Sequence, residues 1–245
     1  VLEIDEPAPV KIANPGGASP FVLIGDHAGR AIPRSLDGLG LELAALDLHI
    51  ACDIGVSALG ARLSPMLDAP FIEQTYSRLV IDCNRKPGAA DRAPAVSDGV
   101  AVPGNAGLSD AALAARVRAI YDPYQDAIGE ALDARVGRRT FLVSLHSFTP
   151  VMRGFARPWR MGVVHRGDSA LSWRMLALLQ AELGDAAGDN LPYAMDGTDN
   201  TVPLHADPRG LDYLELEVRQ DLLSDAAGVD AVGEMVGRLL LALAE

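Results

Sequence analysis

The stretch Phe21-Val22-Leu23-Ile24-Gly25-Asp26-His27 decides the fold. An uninterrupted apolar run ends at a glycine, an acid and a histidine, which suits a buried strand with polar chemistry at its tip. The arrangement recurs. Thr140–Leu145 (TFLVSL) precedes His146-Ser147, and Leu79–Cys83 (LVIDC) precedes Asn84-Arg85. Pro70–Glu73 and Arg160–His165 read as further strands, and Tyr213–Val218 (YLELEV) alternates as a strand does. Between them the spacing predicts helices over Leu41–Leu67, from an N-cap at Ser109 to about Val136, over Ser169–Leu183, and from about Val229 to Ala244. Pro123 should kink or restart the second of these. Strands separated by helices imply one layered α/β domain over residues 1–245, with helices covering a mostly parallel sheet. In open sheets of that kind the active site lies outside the carboxyl ends of the strands. The long Lys86–Gly107 connection is rich in Gly, Pro, Ala and Asp; a loop of such length is either functional or disordered, and because it directly follows Asn84-Arg85 the functional reading is a lid over the site.

The chain has 245 residues, 49% hydrophobic and 22% charged, as expected of a globular protein. With 33 acidic and 21 basic side chains its formal charge is −12. Such a chain repels a phosphate backbone and anionic bilayers, so neither nucleic acid nor membrane is an expected partner. No apolar run reaches the roughly 18 residues of a membrane span, and the acidic start Val1–Glu6 does not resemble a secretory signal. The first residue is Val rather than Met, which leaves room for a leader removed ahead of it. Cys52 and Cys83 are too few for a disulfide scaffold or a cysteine zinc site, so the expectation is a cytoplasmic protein with buried thiols. Any metal must then be held by imidazole and carboxylate. The sequence leaves the oligomeric state open.

The histidines carry most of the chemistry. His27 and His146, each after a buried strand, can start a zinc site or can cap their strands by hydrogen bonds to the backbone. His49 and Asp53, four apart on a predicted helix, share a face and can supply a ligand and an orienting carboxylate, or can form a solvated i,i+4 pair. Asp47 is nearby but roughly opposite if the helix is already regular there, and it and Asp26, next to His27, are further supporting or alternative carboxylates. Arg85, with Asn84, can grip a substrate carboxylate through paired hydrogen bonds, or form a salt bridge; Arg78 reads as structural. Glu215 and Glu217 share one strand face, where a carboxylate beside a metal serves as general base. His205 lies in an irregular segment suited to substrate contact, and His165 reads as solvated. Neither a nucleophile elbow nor a phosphate-binding glycine loop is present.

Taken in order, six segments resemble the N-formylglutamate amidohydrolase family. They are Gly25–Pro33 (GDHAGRAIP), Asp47–Gly55 (DLHIACDIG), Ser77–Arg85 (SRLVIDCNR), Ile120–Tyr124 (IYDPY), Ser144–Pro150 (SLHSFTP) and Glu215–Leu222 (ELEVRQDL). The fourth usually ends in His, and here Gln125 takes that place. The family is similar in fold to zinc carboxypeptidases and aspartoacylase-type deacylases, which implies a three-layer α/β/α sandwich around a mixed, mostly parallel, carboxypeptidase-like sheet.

The resemblance implies a metal-dependent amidohydrolase that binds one divalent ion, zinc first, and acts on linear amides of N-acyl amino acids. N-formyl-L-glutamate, giving formate and glutamate, is the implied substrate. His27 matches the first zinc histidine, His146 the last, Asn84-Arg85 the carboxylate grip and Glu217 the catalytic glutamate, with Glu215 as fallback. One position departs. Where carboxypeptidase-like enzymes carry a ligating Glu, this chain has Arg30, which stays protonated and cannot bind zinc. The third ligand is then sought among His49, Asp47 and Asp53, His49 first, and Arg30 becomes a substrate contact. A second substrate carboxylate is assigned to His205 or Arg209, with Arg153 and Arg157 adding positive charge. The alternatives are a deacylase or amidase for another N-acyl or peptide-like substrate, and a ligand-binding relative without the metal.

Overall fold

The computed structural model describes residues 1–245. In chain order the strands are β1 (Val10–Ala13), β2 (Phe21–Gly25), β3 (Phe71–Gln74), β4 (Val96–Ser97), β5 (Val100–Ala101), β6 (Phe141–Phe148), β7 (Val151–Met152), β8 (Phe155–Ala156), β9 (Met161–Val164), β10 (Ala187–Asp189) and β11 (Tyr213–Arg219). The α-helices are α1 (Val56–Leu67), α2 (Asp110–Arg116), α3 (Asp122–Asp133), α4 (Ala170–Leu183), α5 (Thr201–Ala206) and α6 (Ala226–Ala244). Seven strands form one sheet in the order β1-β3-β2-β6-β11-β9-β10, while β4-β5 and β7-β8 are separate hairpins. β2 pairs parallel with β3 and β6, β6 with β11, and β9 with β10. β1 and β9 run antiparallel to β3 and β11. The sheet is therefore mixed and mostly parallel. No helix is long and apolar enough to cross a membrane.

The apolar run of β2 is buried on both faces because its side chains alternate between two cores. Phe21 and Leu23 pack with Val56, Leu59 and Leu63 of α1 and with the apolar faces of α4 and α6. Val22 and Ile24 face the opposite layer, where Tyr124, Ile128 and Leu132 of α3 and Val202 of α5 cover the sheet. These layers make the expected α/β/α sandwich.

Three local expectations change. Leu41–Leu67 is not one helix: a 3-10 turn covers Leu43–Asp47, and α1 starts only at Val56. Gly55 breaks the run in the left-handed region at φ 85°, with Leu223 so close that a Cβ would come within 2.3 Å of it. His49 and Asp53 therefore lie in turns rather than on a shared helix face. Leu79–Cys83 is not a strand either. It is buried as its composition demands, but as a turn whose carbonyls are satisfied by distant side chains. Asn105 Nδ2 donates to Leu79 O (2.8 Å), Arg116 Nη1 to Val80 O (3.0 Å) and Gln125 Nε2 to Cys83 O (2.9 Å). The Ser109 cap holds, its Oγ accepting from Ala112 N at 3.3 Å. The break near Pro123 is absorbed by a π-helical turn over Val117–Tyr121, between α2 and α3.

Candidate metal centre and active site

Period two places the chemistry on one face. In β6, Leu142 packs under α3 while Ser144 and His146 follow on the same side; in β11, Tyr213 is followed by Glu215 and Glu217. The parallel register sets Glu215 beside Ser144 and Glu217 beside His146. This face is apolar where the strands begin and polar toward their carboxyl ends, where it opens into a cleft of about 690 Å3.

His27, Asp53 and His146, all buried, each bring one ligand atom to within 4.8 Å of the others. His27 Nδ1 lies 3.5 Å and His146 Nδ1 2.9 Å from Asp53 Oδ2. Asp53 reaches this position because its N–H donates to His27 O (2.8 Å), tying the turn before α1 to the end of β2. Each imidazole is also held from behind. His27 Nε2 is 2.8 Å from Asp82 Oδ1, and His146 Nε2 is 3.0 Å from Ser144 Oγ and 3.5 Å from Asp26 Oδ2. Asp26 in turn accepts from Thr201 Oγ1 at 2.5 Å. Arg78 donates twice to Asp82 Oδ2, at 3.1 and 2.8 Å, and once to Asp53 at 3.3 Å.

The donor set fits a zinc-type cation. His27 Nδ1 is buried yet has no hydrogen-bond partner, while the other nitrogen of the same ring is fixed by a carboxylate. Two imidazoles and a carboxylate converging on one point, each imidazole backed by an acid, match the ligand and supporting shells of such an ion.

The electrostatics fall into two groups. Burial raises a carboxyl, but His27 and His146 hold Asp53 below the usual carboxylate range. Arg78 and His27 do the same for Asp82. Burial and Arg78 push the His27 imidazole down, and Asp82 and Asp53 outweigh them, leaving it raised. At His146 burial is likewise outweighed, by Asp26 and Asp53. The glutamates respond the other way. Burial pushes Glu217 up to about 7 and Glu215 up to about 8, with His146 the main opposing influence. Neither Oε2 has a hydrogen-bond partner.

The other candidates divide by location. Asn84 and Arg85 line the cleft, in a turn rather than at a strand end. Asn84 Oδ1 accepts from the N–H groups of Asn200 (3.0 Å) and Thr201 (2.9 Å), which orients its amide. Arg85 Nε donates to Asp91 at 2.8 Å. His49 lines the cleft but stands outside the three-residue cluster, its Nε2 3.2 Å from Asp98; Asp53 takes the place expected of it. Arg30 and Asp47 form an exposed ion pair with each other at 2.6 Å and do not line the cleft. His205 and Arg209 are also absent from its walls. Gln125 donates to Cys83 O, so its Oε1 accepts from His205 Nε2 at 2.8 Å, and Arg209 pairs with Asp133 at 2.7 Å. Arg153 lines the rim, whereas Arg157 is buried against Phe148 and Tyr193. His165 is buried, not solvated, 2.9 Å from Asp189. Asp82, the partner of His27, escaped the sequence reading because a strand was expected there; the Arg78-to-Asp82 spacing was its one signal.

The family model of N-formylglutamate amidohydrolase matches residues 19–224, which include the whole cluster and both glutamates. The chain belongs to the N-formylglutamate amidohydrolase family. A gene product of Agrobacterium tumefaciens with a crystal structure is 34% identical, with a TM-score of 0.92 over 100% of this chain and 99% of that one. The crystal structure of N-formylglutamate amidohydrolase from Ralstonia eutropha is similar in fold, with 21% identity and a TM-score of 0.67 over 97% of each chain. No curated protein matches. In this member of the N-formylglutamate amidohydrolase family, five of the six motif segments contribute residues to the cleft wall. The fourth, Ile120–Tyr124, does not line it, and the adjoining Gln125 ties the Cys83 turn to α5 through Thr201 (3.3 Å) and His205.

Proposed function

We propose that this chain is a metal-dependent hydrolase of linear N-acyl amides of amino acids, with N-formyl-L-glutamate, the compound that names the family, as the first substrate to assay. The observation that carries the reading is the bare, buried His27 Nδ1 facing Asp53 and His146, with Glu217 on the neighbouring strand. His27, Asp53 and His146 would hold a divalent ion, zinc by its preference for imidazole and carboxylate. The chemistry such an ion supplies is polarisation of an amide carbonyl and acidification of water.

The chain's own residues supply the rest. Glu217, raised to about 7, is poised near neutral pH to take a proton from water at its carboxylate and pass it to the leaving nitrogen. Asn84, oriented by two backbone donors, and Arg85 bind the substrate carboxylate. Asp82 and Asp26 fix the ring orientations of His27 and His146. The Lys86–Gly107 segment walls the cleft through Asp91, Pro94 and the β4-β5 hairpin, a position suited to a lid.

The test is metal analysis of the purified protein, followed by release of the acyl acid from N-formyl, N-acetyl and N-carbamoyl amino acids. One equivalent of zinc and formate release support the reading. Protein that neither carries nor binds zinc, and whose amide hydrolysis zinc does not raise, refutes it.

A further inference from the structure

We propose that Glu215 and Asp199 form a subsite for a protonated amino group of the substrate, so that the enzyme prefers N-acyl amino acids carrying a side-chain cation over those carrying a second carboxylate. The inference rests on the hydrolase reading above and narrows its substrate.

Charge on the cleft walls is the first ground. Eight carboxylates and three guanidiniums line it. Arg78 is neutralised by Asp82 and Asp53, and Arg85, the carboxylate grip, already shares its Nε with Asp91. Only Arg153, at the turn of the β7-β8 hairpin on the rim, stands without a carboxylate partner. The side chains expected to hold a second substrate carboxylate, His205 and Arg209, lie outside the cleft and are engaged elsewhere. A dianion entering this cleft finds one carboxylate grip and then further acids.

Glu215 is the second ground. Most of the acids have evident work. Asp53 faces the histidine cluster, Asp82 and Asp91 hold arginines, Asp98 meets His49, and Glu217 stands beside His146. Glu215 is only 4% exposed, lines the cleft, and keeps an unpartnered Oε2. Asp199 lines the same cleft and is held by the N–H of Asp196 (2.9 Å) and the Asn84 amide (3.4 Å), with no salt bridge of its own. Burial raises both carboxyls, outweighing the opposing pull of His146 on each and of Arg85 on Asp199. Desolvated acids in that state gain most from a cation that arrives with the substrate. Asn84 touches Asp199 and adjoins Arg85, so one substrate can place its carboxylate on Asn84-Arg85 and its amine on Asp199 and Glu215.

The experiment compares kcat/KM of the zinc-replete enzyme for Nα-formyl-L-lysine, N-formyl-L-glutamine and N-formyl-L-glutamate at low ionic strength. The lysine derivative should exceed the neutral glutamine derivative by about tenfold or more, with the glutamate derivative lowest. Glu215→Gln keeps the shape and removes the charge, and should collapse the lysine-to-glutamine ratio by about the same factor. Asp199→Asn should move it in the same direction and serves if the first variant does not fold. Preference for the glutamate derivative, or a ratio unchanged in the variants, overturns the proposal. Should none of the N-formyl, N-acetyl and N-carbamoyl amino acids be cleaved, the hydrolase reading fails by itself. Calorimetric binding of L-lysine, L-glutamine and L-glutamate to wild type and Glu215→Gln then decides the subsite. Tighter binding of lysine that is lost in the variant supports it, and equal binding in the two proteins refutes it.

Discussion

His205→Gln should flatten the acid side of the stability profile. His205 is buried, and its Nε2 donates to Gln125 Oε1 while its Nδ1 has no partner. Burial, helped by Arg209, pushes its pKa down to about 4 from the usual 6.5. The unfolded chain therefore takes up this proton first. Stability is intact above about 6.5, falls as pH drops below it, and levels off near the folded value. A gap of this size is worth about 2.5 kcal/mol between pH 7 and pH 4.5, or about 1 M in urea midpoint. A glutamine at this position places an amide donor where Nε2 stood and does not titrate. Urea unfolding of both proteins across pH 4.5–7, in metal-free buffer, isolates the histidine, because every other titrating group contributes to both curves and cancels in the difference. The variant should be equal or weaker at pH 7 and the more stable protein at pH 4.5, with KM for the best N-formyl substrate unchanged. Parallel profiles would refute the reasoning: His205 would then titrate near its ordinary value, open to the cleft.

Further outcomes follow from the same geometry. Glu217→Gln should lower kcat by about 100- to 10,000-fold while zinc content stays at that of the wild type; near-full turnover would remove Glu217 from the role of base. Zinc uptake at pH 7 should release protons, because His27 and His146 are raised in the metal-free protein and must give up their ring protons to bind an ion. Calorimetry in buffers of different ionisation enthalpy would read this, and affinity should fall as pH falls; uptake with no proton release would contradict the assigned cluster. A raised histidine stabilises the fold below its unfolded pKa and loses that contribution as pH rises through its folded value. Metal-free protein should accordingly weaken on the alkaline side, and added zinc should restore it. Gly29→Ala would put a methyl 2.0 Å from Thr75 O, two residues from His27. The backbone must shift, costing about 1–3 kcal/mol in thermal or urea unfolding and weakening zinc binding; a variant equal to wild type in both would show the turn to be slack.

What the sequence disclosed and what it hid separate along a physical line. Burial leaves a local mark, and backbone partners do not. Phe21–Gly25 and Tyr213–Val218 are strands in the structure because their apolar patterns coincide with neighbours that pair with them. Leu79–Cys83 has the same kind of pattern and is as deeply buried, yet its carbonyls are met by Asn105, Arg116 and Gln125, residues 26, 36 and 42 positions away. No window around residue 80 contains that information. The candidate metal cluster divides in the same way. His27 and His146 were readable from the strands that carry them. The choice of Asp53 over His49 depends on the turn at Gly55 and on the hydrogen bond to His27 O, both invisible to helical spacing. Charge behaves like the backbone partners. A net of −12 gives the sign of the field but not its location. The substrate-facing roles given to Arg30, His205 and Arg209 fail because each meets its own partner away from the cleft, Asp47, Gln125 and Asp133 respectively. At the cleft wall Arg78 and Arg85 are paired as well, with Asp82 and Asp91, which leaves Arg153 as the arginine there without a carboxylate partner. In the subsite proposed above, specificity turns on the cleft-wall acid left without a partner, Glu215.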